Sequence, residues 1–207
     1  LLGQLFRHFR SRRMRLFERT FQISSRTRIL DVGGSPQIWE FASVQPQLTL
    51  LNLPTALCAP VGSYTQVAGD GRFLPFDDGC FDIVFSNSVI EHVGTAEDQA
   101  KFAAEVQRVG RRYWIQTPNR LFPVEMHLML PIVHFLPKPA QRAIIHRFTV
   151  WEKLTRPSAA ERAFYLEHFL KELKLLDNHS LGRLFPGATI LKERVLGVPK
   201  SLIAVKT

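Results

Sequence analysis

The stretch Arg28-Ile-Leu-Asp-Val-Gly-Gly-Ser-Pro-Gln37 restricts the fold more than any other part of the chain. Ile29, Leu30 and Val32 make Arg28 to Val32 a short buried strand, with Asp31 at its carboxyl end. Gly33-Gly34 turns the chain, and Gln37 to Ala42 can be helical. Strand, acid, glycine turn and helix in succession open an α/β sheet. Ligands bind such sheets at the carboxyl edge, where backbone without side chains permits close approach.

The remaining chain repeats the alternation. Leu48 to Leu53 is a second strand, ended by Pro54, and Tyr64 to Ala68 is a short third one, followed by Gly69-Asp70-Gly71-Arg72. Leu74 to Gly79 is a loop and turn before the fourth strand, Phe81 to Ser86. Thr95 caps a helix running to about Arg108, with Asp98 at the capping-box position and Gly110 as its stop. Arg112 to Thr117 is a fifth strand. Ala159 to Leu176 reads as a helix and Leu181 to Phe185 as a short turn. Ala188 to Leu196 and Leu202 to Val205 are two last strands, joined through Gly197-Val-Pro199 as an antiparallel hairpin. The expected fold is a Rossmann-like, seven-stranded, mostly parallel α/β sheet with helices on both faces and an antiparallel last strand. From Asn119 to about residue 158 the pattern is broken by Pro123, Pro131, Pro137, Pro139 and Pro157. This segment is expected to be a lid or substrate element.

Charge is uneven along the chain. Of the net +9, residues 1–30 carry +7, from eight arginines opposed by Glu18 alone. Leu2, Leu5, Phe6, Phe9, Met14, Leu16, Phe17 and Phe21 give residues 1–25 the character of a basic amphipathic helical arm on a domain spanning residues 26–207. Two roles follow: packing on the domain with solvated arginines, or a surface helix that attracts an anionic substrate or the headgroups of an anionic membrane in peripheral contact. No strand lies in the arm, so removing residues 1–20 is expected to leave the core folded. Nucleic acid is disfavoured, because the rest of the chain carries only +2 and no basic sheet with interleaved aromatics follows. Cys58 and Cys80 offer neither a disulfide framework nor metal-ligand spacing, and suit a reducing, cytoplasmic setting. Arg7, Arg10, Arg12 and Arg13 break any signal-peptide pattern, and no apolar run is long enough to span a membrane.

Four stretches, in this order, carry a resemblance: Ile29-Leu-Asp-Val-Gly-Gly34, Gly69-Asp-Gly-Arg-Phe-Leu-Pro-Phe76, Phe81-Asp-Ile-Val-Phe-Ser-Asn-Ser-Val-Ile-Glu-His92 and Trp114-Ile-Gln-Thr-Pro-Asn119. Together they resemble the class I S-adenosylmethionine-dependent methyltransferases, near their broad small-molecule subgroup. The resemblance implies S-adenosylmethionine as cofactor. Asp31 would accept from its amino group, and Gly33, Gly34 and Ser35 would wrap its methionine and ribose. Asn52 would meet the ribose hydroxyls, where the family usually has an acid. Asp70 would take the adenine amine, with Gly71 and Arg72 supplying backbone around the ring. Ser86 and Asn87 would offer carbonyls to the ammonium, and Val89 and Ile90 would pack nearby. Ser35 and Gln37 stand where the family has glycines. A dinucleotide fingerprint would need G-x-G-x-x-G and a ribose acid, and neither is supplied. The same fold could also serve a non-catalytic binder or a membrane-surface adaptor.

The expected activity is methyl transfer to a small-molecule or lipid-like acceptor. The chain has no Asp/Asn-Pro-Pro-aromatic sequence after strand four, which argues against a nucleobase or glutamine target. His92 lies just beyond strand four, and Phe122 to His127 follows strand five, at the neighbouring edge of the same cleft. Glu125 and His127, two apart, share one face of an extended chain. His92, Glu125 and His127 are therefore the candidate catalytic residues, with a carboxylate orienting an imidazole for general-base work.

Overall fold

Apolar residues alternate between two cores along the first strand, β1 (Arg28–Val32). Ile29 faces one side of the sheet, Leu30 and Val32 the other. The computed structural model describes the backbone of residues 2–56 and 64–207, and the side chains of these apart from residues 2–6, 168 and 172. Cys58, Leu2, Leu5 and Phe6, singled out above, fall outside the described side chains. The main sheet has seven strands in the order β3-β2-β1-β4-β5-β9-β8. They are β2 (Gln47–Asn52), β3 (Thr65–Ala68), β4 (Phe81–Asn87), β5 (Gly110–Pro118), β8 (Thr189–Val195) and β9 (Val198–Lys206), besides β1. The first five pair in parallel, and β9 is antiparallel to both its neighbours, β5 and β8. The chain winds outward from β1 to β3, then returns to β4 beside β1. The strand order thus reverses between β1 and β4, and a crevice opens at their carboxyl ends.

Two layers of helix cover the sheet. On one face α3 (Ala96–Val109) and α7 (Asn178–Leu184) bring Phe102, Val106, Leu181 and Phe185 onto Leu30, Val84 and Ile115. The Thr95–Asp98 capping box forms as the sequence indicates. α7 is a full helix capped by Asp177, longer than the short turn expected. On the other face lie α1 (Leu2–Phe21) and the single turn α2 (Pro36–Trp39).

The position of α1 corrects the expectation of a dispensable arm. Met14, Phe17 and Phe21 are at most 4% exposed and belong to the same core as Ile29, Phe85 and Trp114. The Phe17 ring meets those of Phe21, Trp39, Phe85 and Trp114 at centroid distances of 5.1–6.0 Å. The helix is half of one hydrophobic layer, so removing it would expose the sheet.

The segment after β5 folds on itself. A small hairpin, β6 (Val124–Glu125) and β7 (Leu130–Pro131), leads into α4 (Lys138–Arg147), α5 (Val150–Thr155) and α6 (Ala159–Glu172). Leu128, Leu130, Val133, Ile145, Leu166 and Phe169 form its separate core. The insertion therefore runs on through α6, past the expected limit near residue 158, because the α6 side chains complete that core.

Candidate active site

Three cavities meet at the carboxyl edge of the sheet. The largest, about 570 Å³, lies over the ends of β1, β2 and β3, lined by Gly33, Asn52, Asp70, Val89, His92 and Phe102 among others. A narrow one of about 130 Å³ lies between Asp31, the Gly33–Ser35 turn, Gln37 and Asn87. They share Gly33. A third, about 250 Å³, shares Asn87 and Arg10 with the second and includes His127 and Lys200.

The glycine turn has a steric reason. Gly33 has a φ of +71°, and a Cβ there would come within 2.6 Å of Val89. A Cβ on Gly34 would fall 1.9 Å from Asp31 Oδ2, in the space the carboxyl group occupies. Asp31 is fully buried, and its Oδ2 accepts from Trp39 Nε1 at 2.8 Å. Its Oδ1 has no partner among the described residues. Burial pushes this carboxyl up to about 7, against the lowering effect of the Trp39 bond. A buried, half-satisfied acid beside an open glycine turn fits a cationic group bound in the narrow cavity. Ser35 lines the same cavity, with no side-chain bond at the start of α2.

Asn52 faces the large cavity and also braces the turn, because its Nδ2 donates to the Gly34 carbonyl at 2.9 Å. A carboxylate could not donate, so the amide ties β2 to the turn and keeps its oxygen as an acceptor. Asp70 also lines the cavity. Both its oxygens accept from the Arg72 guanidinium at 2.6–3.0 Å, and Arg72 reaches Asp98 at 3.2 Å. The Arg72 hydrogen bonds hold the Asp70 carboxyl below its usual range. Arg72 lines the cavity beside Asp70, and its backbone N–H also donates to Asp70 Oδ1 at 2.9 Å. Gly71 sits against Phe102 and Val32, where a Cβ would come within 2.8 Å of the Phe102 ring.

Ser86, expected to offer its backbone carbonyl, has its side chain turned into the protein. It is fully buried, its hydroxyl donates to the Val32 carbonyl, and it lines none of the three cavities. Asn87, one residue on at the strand end, lines two of them. Val89 lines the large cavity, while Ile90 is buried in the core.

On the opposite wall the structure brings His92, Glu125 and His127 together. The two rings stand 4.9 Å apart between centroids, with Nε2 to Nε2 3.1 Å. Glu125, at the end of β6, accepts from His127 Nδ1 at 2.6 Å, His127 N–H at 3.0 Å and Leu128 N–H at 2.7 Å. With Glu125 as the acceptor, His127 donates from Nδ1, and in the neutral ring this leaves Nε2, which faces His92 Nε2, as the atom with the lone pair. The chain reaches this arrangement by turning after Glu125 rather than by remaining extended. Burial disfavours the His127 cation, but the Glu125 hydrogen bond and the nearby Glu125 and Glu91 charges outweigh it, and its pKa is raised.

Sequence reading missed Glu91. It is fully buried, its Oε2 accepts from Thr117 Oγ1 at 2.9 Å, and Oε1 accepts no hydrogen bond among the described residues. Burial pushes its carboxyl up to about 7. It also missed Arg13, which leaves α1 to enter the third cavity. Arg13 is 7% exposed, pairs with Glu193 at 2.6 Å, and donates to the side-chain oxygens of Asn87 and Gln116. Lys200 lies 4.5 Å from the Phe9 ring centroid and 4.0 Å from Glu193, and burial lowers its pKa. No spacing along the chain signals these contacts; a run of arginines on a helix reads as a solvated face.

A family model described as "Methyltransferase domain" matches residues 39–112. No curated protein sequence matches the chain. Among solved structures, magnesium protoporphyrin IX methyltransferase from Synechocystis PCC 6803, with bound SAH, is 12% identical with a TM-score of 0.54, over 95% of this chain and 82% of its own. A chain from the Haloferax volcanii complex containing the Trm112 methyltransferase activator is 13% identical with a TM-score of 0.58, over 98% and 90%. A SAM-dependent methyltransferase from Aquifex aeolicus is 11% identical with a TM-score of 0.50, over 93% and 87%. These likenesses are likenesses of fold.

Proposed function

We propose that this chain, which has the class I S-adenosylmethionine-dependent methyltransferase fold and matches a methyltransferase-domain model, methylates a small-molecule or lipid-like acceptor. The observation that carries the cofactor side is the buried Asp31 with its unpartnered Oδ1 beside the Gly33–Gly34 turn. S-adenosylmethionine supplies, when bound, an electrophilic methyl group on a sulfonium. The protein has then to hold it, orient the acceptor and exclude water.

Asp31 Oδ1 would accept from the cofactor's ammonium, with Gly33, Gly34 and Ser35 along its methionine and ribose. Asn52 would accept from a ribose hydroxyl. Asp70, fixed by Arg72, would accept from the adenine amine, with Gly71 beneath the ring. Asn87 stands between the narrow cavity and the third one, which we assign to the acceptor. Phe9 and Met126 give that cavity apolar surface, and Arg10 and Lys200 give it positive charge. An acceptor with an apolar body and an anionic or polar end suits both. At its other end the Glu91–His92–Glu125–His127 group, with a lone pair held at His127 Nε2, makes an acceptor O–H or N–H more nucleophilic.

The test is turnover with labelled S-adenosylmethionine against phenolic, hydroxylated and carboxylate-bearing small molecules and lipids. Transfer to one class, reduced at least tenfold in His127→Ala and Glu125→Ala with cofactor affinity retained, supports the reading. Cofactor binding without transfer to any acceptor favours a non-catalytic binder on the same fold.

A further inference from the structure

We propose that Glu91, His92 and His127 form a binding site for one divalent transition-metal ion of the zinc class. The donor atoms of the three residues all lie within 4.8 Å of one another. His92 Nε2 and His127 Nε2 are 3.1 Å apart. Two nitrogens at about 2.0–2.1 Å from one zinc ion stand roughly 2.8–3.4 Å apart, between octahedral and tetrahedral angles. Glu91 Oε1 is 4.0 Å from His92 Nε2 and completes the set with a movement of about 1 Å.

Three further features point to an ion rather than a plain contact between two rings. Glu91 Oε1 is a fully buried oxygen without a hydrogen bond among the described residues, and it is turned toward the imidazoles while Oε2 is held by Thr117. A direct His92–His127 hydrogen bond would leave that oxygen unsatisfied; a shared cation would not. The Glu125–His127 pair is the carboxylate–histidine arrangement that fixes the tautomer of a metal-bound ring and raises its basicity. The cluster also lies between the large cavity, which His92 lines, and the acceptor cavity, which His127 lines. Two imidazoles and a carboxylate leave positions open for an outside ligand, and the donor types suit zinc and its first-row neighbours over magnesium or calcium. An ion there would meet the acceptor's oxygen or nitrogen and lower its pKa, in place of the ring. The inference extends the acceptor-side reading above. Its test uses neither cofactor nor acceptor, so failure of one is distinguishable from failure of the other.

The test titrates metal-stripped protein with Zn2+ by calorimetry and with Co2+ by visible absorption. One equivalent of each is expected to bind, with cobalt giving d–d bands of a low-symmetry nitrogen and oxygen site. His92→Ala, His127→Ala and Glu91→Gln should each weaken binding at least tenfold. Glu125→Gln, a change behind the ligand shell, should weaken it about 10–100-fold while keeping one-to-one stoichiometry. His92→Gln, at a half-buried position, serves if an alanine variant fails to fold. No saturable binding in the wild type, or unchanged affinity in folded His92 and His127 variants, overturns the proposal.

Discussion

Asp31 is the residue on which the cofactor side turns, and its burial makes a pH prediction. In the cofactor-free protein its carboxyl titrates near 7. A bound ammonium group needs it ionised, so below that pH each unit costs the removal of a proton. Affinity for S-adenosylmethionine should fall about tenfold per pH unit below 7 and be flat just above it. In Asp31→Asn the slope should vanish and the affinity stay low throughout. The same shift acts on stability with a definite sign. The unfolded acid ionises near its ordinary value of 3.8 while the folded one keeps its proton, so the cofactor-free protein loses stability as pH rises from about 4 to about 7. Thermal melts across that range, with a shallower slope in Asp31→Asn where the likewise raised Glu91 still contributes, check it. Gly34→Ala places a methyl group on the Asp31 carboxyl and should abolish cofactor binding in protein that still folds. Asn52→Asp, which restores the acid usual in the family, should not tighten binding. It loses the bond to the Gly34 carbonyl and sets a negative charge against it.

Among the elements, α1 departs furthest from what its sequence suggests. Phe17→Ala should cost about 3–5 kcal/mol in urea melts, the range for a fully buried aromatic. Removal of residues 2–21 should yield protein without a cooperative transition. Arg13→Ala leaves the half-buried Glu193 carboxylate with only the longer 4.0 Å contact to Lys200, at a cost of about 3 kcal/mol, and the double change Arg13→Met with Glu193→Met should recover most of it. The contrast shows what was legible in the chain. The strands, the Gly33–Gly34 turn and the Thr95 cap depend on neighbours a few residues away, so local pattern finds them. The loop after β4 and the segment after β5 converge because both leave the same sheet edge, which placed His92 opposite Glu125 and His127. Arg13 meets Glu193 across 180 positions, and Glu91 turns inward beside a His that local pattern treats alike. Ser86 shows the converse: strand periodicity carries its side chain into the protein, while Asn87, Ser88 and Val89 beyond it line the cavities.

For the molecule as a whole, the positive charge that α1 does not bury stays on its outer side, where Arg12, Arg15 and Arg19 are exposed beside a 43% exposed Leu16. No helix among the described residues is long and apolar enough to cross a membrane. Peripheral contact with an anionic surface remains our proposal for this face. Flotation with vesicles containing anionic lipid should occur at low salt and be lost at high salt, and Arg12→Glu with Arg15→Glu should abolish it. Failure to float at low salt would leave α1 its packing role alone for this face. The cofactor-side expectations rest on one claim, that the cavities at the β1–β4 switch point hold S-adenosylmethionine with its ammonium on Asp31. Calorimetric titration of the cofactor into wild-type and Asp31→Ala protein at pH 8 tests it most directly. The structure predicts one-to-one binding in the wild type, weakened by about 1–3 kcal/mol in folded Asp31→Ala. No heat of binding in the wild type, or identical isotherms for the two proteins, would contradict it.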